Sequence, residues 1–394
     1  MHILESYALQ NDLKIDRPLI YEKYFPLTID KFITLDTSSL GTKALNYDHW
    51  QLVVDLIYPK LKELDICIVQ LGEKTDQLLQ NCYSTMGQCN FNQKAYVISK
   101  SLAHVSTNNE SCHIASHYDK KSVVVFSNNC YTGQFKPYWT DEDKVCIVEP
   151  PKGSVRPSYN PNEEPRSINT IAPEEIASKI LALVGVHTFS PELKTVKIGK
   201  SFYNSRIDSD LTHLLDANKL KVASLIVRMD FNFNEANLVK QLEACPCSVI
   251  TSKPISDEIL NKYHKKIVEL VYYIEDDHSP EFIRKIKQKS INYLLRTRKE
   301  GKEINDLKLD YFDYGLIQPI KAKSRDDFEE LKGKNKLFYK SNYFIVHGNK
   351  FYPSTAAFLN KEQGSPNMKH EIHPVIDTPL FWEEEEHFQF LAKK

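Results

Sequence analysis

Hydroxyl groups and a lysine follow the first apolar run of the chain. Thr37, Ser38 and Ser39 follow the run at residues 31–35, with one residue in between, and Lys43 follows a turn that contains a glycine. Hydroxyls, a lysine and the start of a following helix are groups that can hold a diphosphate. Serine and threonine are also common as helix caps and turn formers. The pattern therefore predicts either a phosphate site or an ordinary capped turn.

Two further polar clusters follow later apolar runs. Gly72 and Glu73 come after the second run, where a carboxylate can accept hydrogen bonds from ribose hydroxyls or can stabilise the first turn of a helix. A third cluster lies between a strand-like and a helix-like segment, and its members are Asn108, Asn109, Glu110, Ser111 and His113. Ligands of open α/β sheets collect at such junctions, because backbone N–H groups point outward there.

The segments that must position these clusters alternate between strand-like and helix-like patterns. The strand-like runs are residues 31–35, 65–71, 103–106, 122–127 and 145–148. Apolar residues between the first two runs have the spacing of an amphipathic helix that begins near Trp50. A second helix is predicted at 171–184, after a proline-rich loop at 149–167. Alternating strands and helices predict a mostly parallel, doubly wound sheet.

A second α/β pattern begins near residue 195. Its strand-like runs are residues 224–229, 248–251, 268–274 and 291–295, and its helical patterns are 234–243, 256–265 and 280–289. The fold class predicted is therefore α/β with two Rossmann-like lobes. The predicted division is an N-terminal arm at 1–30, a first domain at 31–190, a second at 191–345 and a C-terminal extension at 346–394. The acidic run at 383–386 is interpreted as a solvated helix face.

Composition limits the classes of function. Lys plus Arg (51) nearly equals Asp plus Glu (52) in 394 residues, so no overall charge favours nucleic acid or a membrane surface. No apolar stretch approaches the ~20 residues that span a bilayer, and the N-terminus lacks the pattern of a signal peptide. The eight cysteines lack zinc-site spacing. We expect a cytoplasmic protein with free thiols, no metal site and no transmembrane segment.

Together, these blocks resemble the donor-binding half of family 9 glycosyltransferases, the group that includes the lipopolysaccharide heptosyltransferases. The resemblance covers about residues 30–188 and is carried by the hydroxyl and lysine cluster with a following HW, and by IVQLGEKTD, NNESCHIAS and IAPEEIASKILALVG. The third family motif reads Asp-Thr/Ser-Gly-x-x-His-x-Ala. His113 and Ala115 match it, whereas Asn108 and Glu110 stand at its Asp and Gly positions. Glutamate adds a side chain and a charge where glycine allows close backbone approach.

The resemblance implies a GT-B-like fold and a metal-independent, inverting hexosyl or heptosyl transfer with no cofactor besides the nucleotide-sugar substrate. The implied partners are that donor and a glycan or lipid-linked glycan acceptor. Thr37, Ser38 and Lys43 are expected to hold the diphosphate and Glu73 the ribose. Asn109 and His113 are expected at the phosphate or the sugar, and His113 is also expected among the catalytic residues. The remaining residues of the implied donor site are Ser39, Gly72, Asn108 and Glu110.

The order of the domains differs from that of the family, which places the acceptor lobe first. We expect the second domain to supply the acceptor side in an order equivalent to circular permutation. An inverting transfer needs a base close to the acceptor hydroxyl, and Asp230 and Glu235, which follow the first strand-like run of the second domain, are the candidates. The alternative is a degenerate, non-catalytic fold that binds a glycan or a partner protein.

Overall fold

The computed structural model describes residues 1–39, 41–151, 156–220, 222–368 and 370–393. Residues 152–155, within the predicted proline-rich loop, lie outside that description. The chain divides into two compact units, Met1–Lys194 and Thr195–Lys394.

Six parallel strands form the sheet of the first unit. Their order is β3-β2-β1-β4-β5-β6. The strands are β1 (Phe32–Asp36), β2 (Cys67–Leu71), β3 (Tyr83–Ser84), β4 (His104–Thr107), β5 (Ser122–Val125) and β6 (Val145–Val148). The order of the strands reverses between β1 and β4, which makes their carboxyl ends the topological switch point of the sheet.

Helices cover both faces of this sheet. They are α1 (Ile3–Asn11), α2 (Trp50–Glu63), α3 (Phe91–Lys100), α4 (Glu110–His117), α5 (Thr132–Phe135) and α6 (Pro173–Leu183). The apolar sides of α2 and α6 share one core with Ile33 of β1, whereas α3 and α4 share another with Phe32, the preceding residue of the same strand. Successive side chains of a strand point to opposite faces. Asp36 therefore lies on the α3/α4 face.

The second unit contains a second, larger sheet with mainly parallel pairing. The order is β13-β12-β11-β10-β9-β8-β15-β16, with only β16 antiparallel to its neighbour among these described strands. The strands are β8 (Arg206–Ser209), β9 (Ser224–Arg228), β10 (Cys247–Thr251), β11 (Ile267–Tyr273), β12 (Tyr293–Thr297), β13 (Ile317–Pro319), β15 (Tyr343–His347) and β16 (Lys350–Tyr352). The prediction of a mixed α/β protein with parallel sheets is confirmed.

A smaller sheet of four strands completes the second unit, in the order β17-β14-β18-β7. Its strands are β7 (Leu193–Ile198), β14 (Leu337–Ser341), β17 (His373–Pro374) and β18 (Phe388–Lys393). β18 lies inside this sheet and pairs with β14. The segment at 346–394, expected as an extension, thus contributes strands to both sheets of the unit.

The helices of the second unit cover the larger sheet unevenly. They are α7 (Ala217–Leu220), α8 (Glu235–Ala244), α9 (Asp257–Tyr263), α10 (Pro280–Gln288), α11 (Gly301–Asp310), α12 (Thr355–Leu359) and α13 (Pro379–Glu383). α8 to α11 all pack in one core with Val227 and Tyr272. The neighbouring residues Ile226 and Tyr273 belong to a small separate cluster on the opposite face.

The interpretation of residues 383–386 as a solvated helix face is wrong for most of the run. Glu385 is only 6% exposed and forms an ion pair with Lys197 at 3.2 Å. Glu384 accepts a hydrogen bond from the backbone N–H of Thr355 at 3.0 Å. Glu386 alone within this run is exposed. The run leads into β18, which is buried. The carboxylates that precede this strand therefore lie close to the interior of the unit.

Candidate functional site

The switch point of the first sheet brings together two of the polar clusters predicted from the sequence. β1 and β4 pair with Asp36 opposite Ser106, so the segments that follow both strands begin side by side. Asn109 donates from its side-chain nitrogen to the carbonyl oxygen of Ser38 at 2.9 Å, and Thr107 donates from its hydroxyl to the same oxygen at 3.1 Å. These hydrogen bonds tie the hydroxyl-rich loop after β1 to the NNE segment after β4.

Helix α4 starts at this edge and is capped from within the NNE segment. The side-chain oxygen of Asn109 accepts from the backbone N–H of Ser111 at 2.9 Å and from its hydroxyl at 2.6 Å. His104 of β4 contacts the Ser111 hydroxyl at 3.0 Å through Nε2. The start of α4 is therefore fixed by buried hydrogen bonds. The positive end of a helix dipole favours a bound anion.

A buried cluster of charges lies beside the same edge. Asp36 is fully buried and Lys94 of α3 is 4% exposed. The Lys94 ammonium lies 3.6 Å from Asp36 Oδ2 and 2.8 Å from Glu110 Oε1. Burial raises the pKa of the Asp36 carboxyl, against the opposing pull of Lys94. Burial disfavours the charged form of Lys94, but Asp36 and Glu110 outweigh that cost and raise its pKa.

Asp36 and Lys94 are not among the residues predicted from the sequence. Lys94 lies at the helical spacing of the buried residues Val97 and Ile98 of α3. A lysine on the buried face of an amphipathic helix signals a buried ionic partner, because long charged residues are almost never fully buried unless paired. Asp36 is the last residue of a fully buried strand.

Three buried polar atoms at the switch point have no hydrogen-bond partner within the described part of the chain. They are Oδ2 of Asp36, Oγ1 of Thr37 and Oγ of Ser106. Most buried polar atoms in proteins have a partner, from the protein or from ordered water. Oδ2 of Asp36 is paired with the Lys94 ammonium, whereas the hydroxyls of Thr37 and Ser106 mark a place where a polar ligand can supply the missing contacts.

The other predicted donor residues lie on several elements of the first unit. Lys43 is exposed in a short 3-10 turn at Lys43–Leu45, after a turn in which the carbonyl of Ser39 accepts from the N–H of Thr42 at 2.9 Å. Glu73 is exposed after β2, and its N–H donates to a side-chain oxygen of Asp76 at 2.7 Å. These positions leave Lys43 and Glu73 open to solvent.

Gly72, Asn108 and His113 have more enclosed positions. Gly72 has φ of +132°, a conformation that favours glycine, and its carbonyl accepts from the N–H of Gly87 at 2.8 Å. The N–H of Asn108 donates to the carbonyl of Val125 at 3.1 Å. Burial lowers the pKa of the His113 imidazole, and the charge of His2 acts in the same direction. His113 is therefore favoured in its neutral form.

The two candidate bases of the second unit have different surroundings. Both oxygens of Asp230 accept hydrogen bonds from Arg228, at 2.8 and 2.7 Å, and Asp230 lines a cavity of about 690 Å³. Glu235 opens α8, and its Oε1 accepts from the N–H of Ser256 at 2.6 Å, just before α9. Glu235 thus links two helices, whereas Asp230 faces open space.

A buried ionic network holds Arg228 in place. Asp208 is fully buried and accepts hydrogen bonds from Arg206 at 2.7 and 2.8 Å, from Arg228 at 3.1 Å and from the hydroxyl of Tyr343 at 3.0 Å. Burial disfavours the charged form of Asp208, but the two guanidinium groups outweigh it and lower its pKa. The network fixes Arg228 between Asp208 and Asp230.

The chain has only distant similarity to known proteins. No protein-family model matches it, and no curated protein matches it in sequence. Among solved structures it is similar to ADP-heptose lipopolysaccharide heptosyltransferase II of E. coli, with 15% identity and a TM-score of 0.32 over 46% of this chain and 50% of that one. A family 9 glycosyl transferase of Veillonella parvula matches with 12% identity and a TM-score of 0.32, over 39% of this chain and 46% of that one.

A third similar structure is the iron-containing dodecameric glycosyltransferase TibC of enterotoxigenic E. coli. It matches with 10% identity and a TM-score of 0.26, over 32% of this chain and 34% of that one. The chain thus spans half or less of the length of these structures. Among the described residues, no helix combines the length and apolar character that crossing a bilayer requires.

Proposed function

We propose that the chain is a glycosyltransferase that moves a sugar from a nucleotide-activated donor to a hydroxyl group of a glycan or lipid-linked glycan, and that the first unit binds the donor. The observation that carries the proposal is the meeting of the Thr37–Ser39 loop and the NNE segment at the β1/β4 switch point, next to the buried hydroxyls of Thr37 and Ser106, which have no hydrogen-bond partner in the described structure. Open α/β sheets bind ligands at this position.

The hydrogen-bonding groups suit the parts of such a donor. Thr37, Ser38 and Lys43 are assigned to the diphosphate, together with the N–H groups at the start of α4. Exposed Glu73 is assigned to the ribose hydroxyls. The side of the site nearest the sugar is assigned to Asn109 and to neutral His113. Lys43 and the helix start neutralise charge on the leaving diphosphate in a metal-independent transfer that inverts the anomeric carbon.

Glu110 is the departure from the family pattern that most concerns anion binding. Its carboxylate lies 2.8 Å from the Lys94 ammonium, and this contact partly neutralises its charge. The anion is then repelled less than an unpaired glutamate at the start of a helix would repel it. The Lys94 contact supports donor binding even though glycine is missing.

For the second unit, we propose Asp230 rather than Glu235 as the base that receives the proton of the acceptor hydroxyl. Asp230 borders open space, whereas the carboxylate of Glu235 is engaged by the backbone of Ser256. A positioned base contributes about 100- to 10,000-fold to a rate. We therefore expect Asp230→Asn to lower transfer at least 100-fold and Glu235→Gln to affect mainly stability.

A second candidate is a non-catalytic protein that binds a glycan on the same fold. The observation that favours it is that Arg228 donates to both oxygens of Asp230. Only one lone pair on each oxygen then remains to receive a proton, which is less than a free carboxylate offers. Donor turnover separates the candidates, since only the enzyme releases a nucleoside diphosphate from a nucleotide sugar. If transfer survives Asp230→Asn at the wild-type rate, the assignment of the base is wrong.

Donor binding is tested by thermal shift with ADP, UDP, GDP and CMP and with their sugar conjugates. A nucleotide present at about 100 times its Kd stabilises the folded chain by about 2.7 kcal/mol. Lys43→Ala is expected to remove most of that shift. The matched control is Lys62→Ala, which removes an exposed lysine from the last turn of α2, at the opposite edge of the sheet. The absence of any shift across the panel would contradict donor binding.

Thr37→Val gives a second, independent readout of the same site. Valine keeps the shape of threonine but lacks the hydroxyl, whose oxygen has no partner in the described structure. Removing an unsatisfied buried hydroxyl is expected to leave the stability of the free protein unchanged or slightly higher. The same change is expected to weaken nucleotide binding about tenfold if a phosphate oxygen accepts from that hydroxyl. A parallel loss of stability and binding would contradict this role.

A further inference from the structure

The second unit has a cavity at the carboxyl ends of its parallel strands. It has a volume of about 690 Å³ and lies on the face opposite α8 to α11. Cavities of about 300 to 1,000 Å³ are the ones that hold small ligands. The ends of five strands and the helix α13 contribute its wall, through residues that include Arg228, Ser252, Tyr273, Arg298, Ile320 and Glu383.

Charged groups in the cavity wall favour one kind of ligand. Arg228 is already engaged by Asp208 and Asp230, so it offers little charge to a ligand. The other charged wall residues are one arginine and three glutamates, namely Arg298, Glu275, Glu300 and Glu383. Among the lining residues the balance is acidic and disfavours an anion, although the cations Arg296 and Lys323 also act on Glu383. Carboxylates are acceptors, and a ligand rich in hydroxyl donors satisfies them.

Arg298 is spaced from its acidic neighbours rather than bonded to them. Its guanidinium lies 4.0 Å from Glu275 and 3.9 Å from Glu383. Both distances exceed those of a hydrogen bond. Hydroxyl groups of a ligand can bridge such gaps, because each hydroxyl donates to a carboxylate and accepts from a guanidinium.

Glu383 is the least exposed of the three glutamates in the cavity wall. Its side chain is 25% exposed. Burial raises its pKa, although Arg298, Arg296 and Arg228 act in the opposite direction. Nearby, Nε of Arg296 on β12 is buried without a hydrogen-bond partner in the described structure. The wall thus combines a poorly solvated acceptor with apolar surface from Ile320, which is the mixture that suits the C–H faces and hydroxyls of a sugar.

We propose that this cavity binds a neutral saccharide, and that Glu383 and Arg298 form hydrogen bonds with its hydroxyl groups. Its identification as the acceptor site rests on the proposed function, whereas saccharide binding itself does not. The sugar ring lies against Ile320, and its hydroxyls donate to Glu383 and accept from Arg298.

The proposal is tested by calorimetric titration of the full chain, without nucleotide, using glucosamine, glucose and glucuronic acid as probes. These sugars share a ring size but carry a positive, a neutral and a negative charge. The acidic wall predicts that glucose binds at least fivefold more tightly than glucuronic acid and no more tightly than glucosamine. Absence of binding for all three sugars, or tightest binding of glucuronic acid, would overturn the proposal.

Three variants locate the binding in the cavity. Glu383→Gln is expected to weaken glucose at least fivefold, and the matched control Glu386→Gln, an exposed member of the same run, is expected to leave it unchanged. Ala322→Trp places a large ring at the exposed rim of the cavity and is expected to abolish binding while the fold persists. Glucose binding that survives both Glu383→Gln and Ala322→Trp would place the sugar elsewhere and refute the proposal. A nucleotide shift without saccharide binding would refute only this inference, and the reverse result would refute only the proposed donor site.

Discussion

The free energy of unfolding of the second unit is expected to depend on pH through Glu384, and one substitution is expected to remove that dependence. The N–H of Thr355 donates to its Oε2 at 3.0 Å and the Thr355 hydroxyl donates to its Oε1. Burial, with a further contribution from Asp208, raises the pKa of the Glu384 carboxyl to about 7, against the two hydrogen bonds from Thr355. Replacing Glu384 by glutamine keeps an oxygen for the N–H of Thr355 and removes the ionisation.

The size of the effect follows from the difference between the folded and unfolded pKa. The folded carboxyl binds its proton up to a pH of about 7, whereas the unfolded one loses it near the ordinary glutamate pKa of 4.5. Between these values the native state holds more protons than the unfolded state, so the free energy of unfolding falls as the pH rises. At about 1.4 kcal/mol per pKa unit, the loss across the window is about 3 kcal/mol. Glu384→Gln is therefore expected to gain about 3 kcal/mol relative to wild type between about pH 4 and about pH 8.

Urea unfolding of both proteins, measured at intervals across that range, checks the prediction. At each pH, the free energy of unfolding of wild type is subtracted from that of Glu384→Gln, and the change of this difference with pH is the quantity compared. A cost of the substitution that does not depend on pH then cancels. Glu386→Gln is the control, because exposed charges contribute little to stability. Parallel profiles for wild type and Glu384→Gln would refute the assignment of a titrating carboxyl at this position.

Two further predictions concern packing and charge in each unit. Lys94→Met is expected to cost about 3 to 5 kcal/mol in urea unfolding, because it leaves buried Asp36 without its cation, and adding Asp36→Asn is expected to recover most of that loss. Without recovery in the double variant, the pairing of these two charges would not be the cause. Gly199→Ala is expected to lower the thermal midpoint strongly, because a Cβ there would clash with the backbone of Glu386, whereas Gly133→Ala in helix α5 meets open space and is expected to add about 0.5 to 1 kcal/mol. Equal effects at the two glycines would contradict the clash.

The sequence was sufficient to predict the parallel sheets because their signal is local. Strands such as β1 and β5 are short, largely apolar runs that are buried on both faces, and an amphipathic segment such as the one that begins at Trp50 connects one strand to the next. The small sheet has no such signal. β7 and β18 are neighbours in this sheet but come from opposite ends of the sequence of the second unit. The run Glu383–Glu386 before β18 has the pattern of a solvated segment as long as its partners are not known.

Part of the buried ionic network could have been predicted from the alternation of side chains between the two faces of a strand. Arg206 and Asp208 are two residues apart on β8, and Arg228 and Asp230 are two apart at the end of β9. Residues i and i+2 of a strand share a face, so each pair can bond side to side. The contact between Arg228 and Asp208 depends on the pairing of β8 with β9, which spacing along the chain does not reveal.

The open hydrogen-bonding groups of the two units differ in polarity, in line with the different ligands proposed for them. At the β1/β4 edge the carboxylates Asp36 and Glu110 share the ammonium of Lys94, and the unpartnered hydroxyls of Thr37 and Ser106 can donate to the oxygens of a phosphate. The cavity of the second unit instead has open glutamates such as Glu383, which can only accept when ionised. These groups support the proposals of a diphosphate in the first unit and a hydroxyl-rich sugar in the second. A nucleotide whose binding responds to Glu383→Gln but not to Thr37→Val would reverse this assignment.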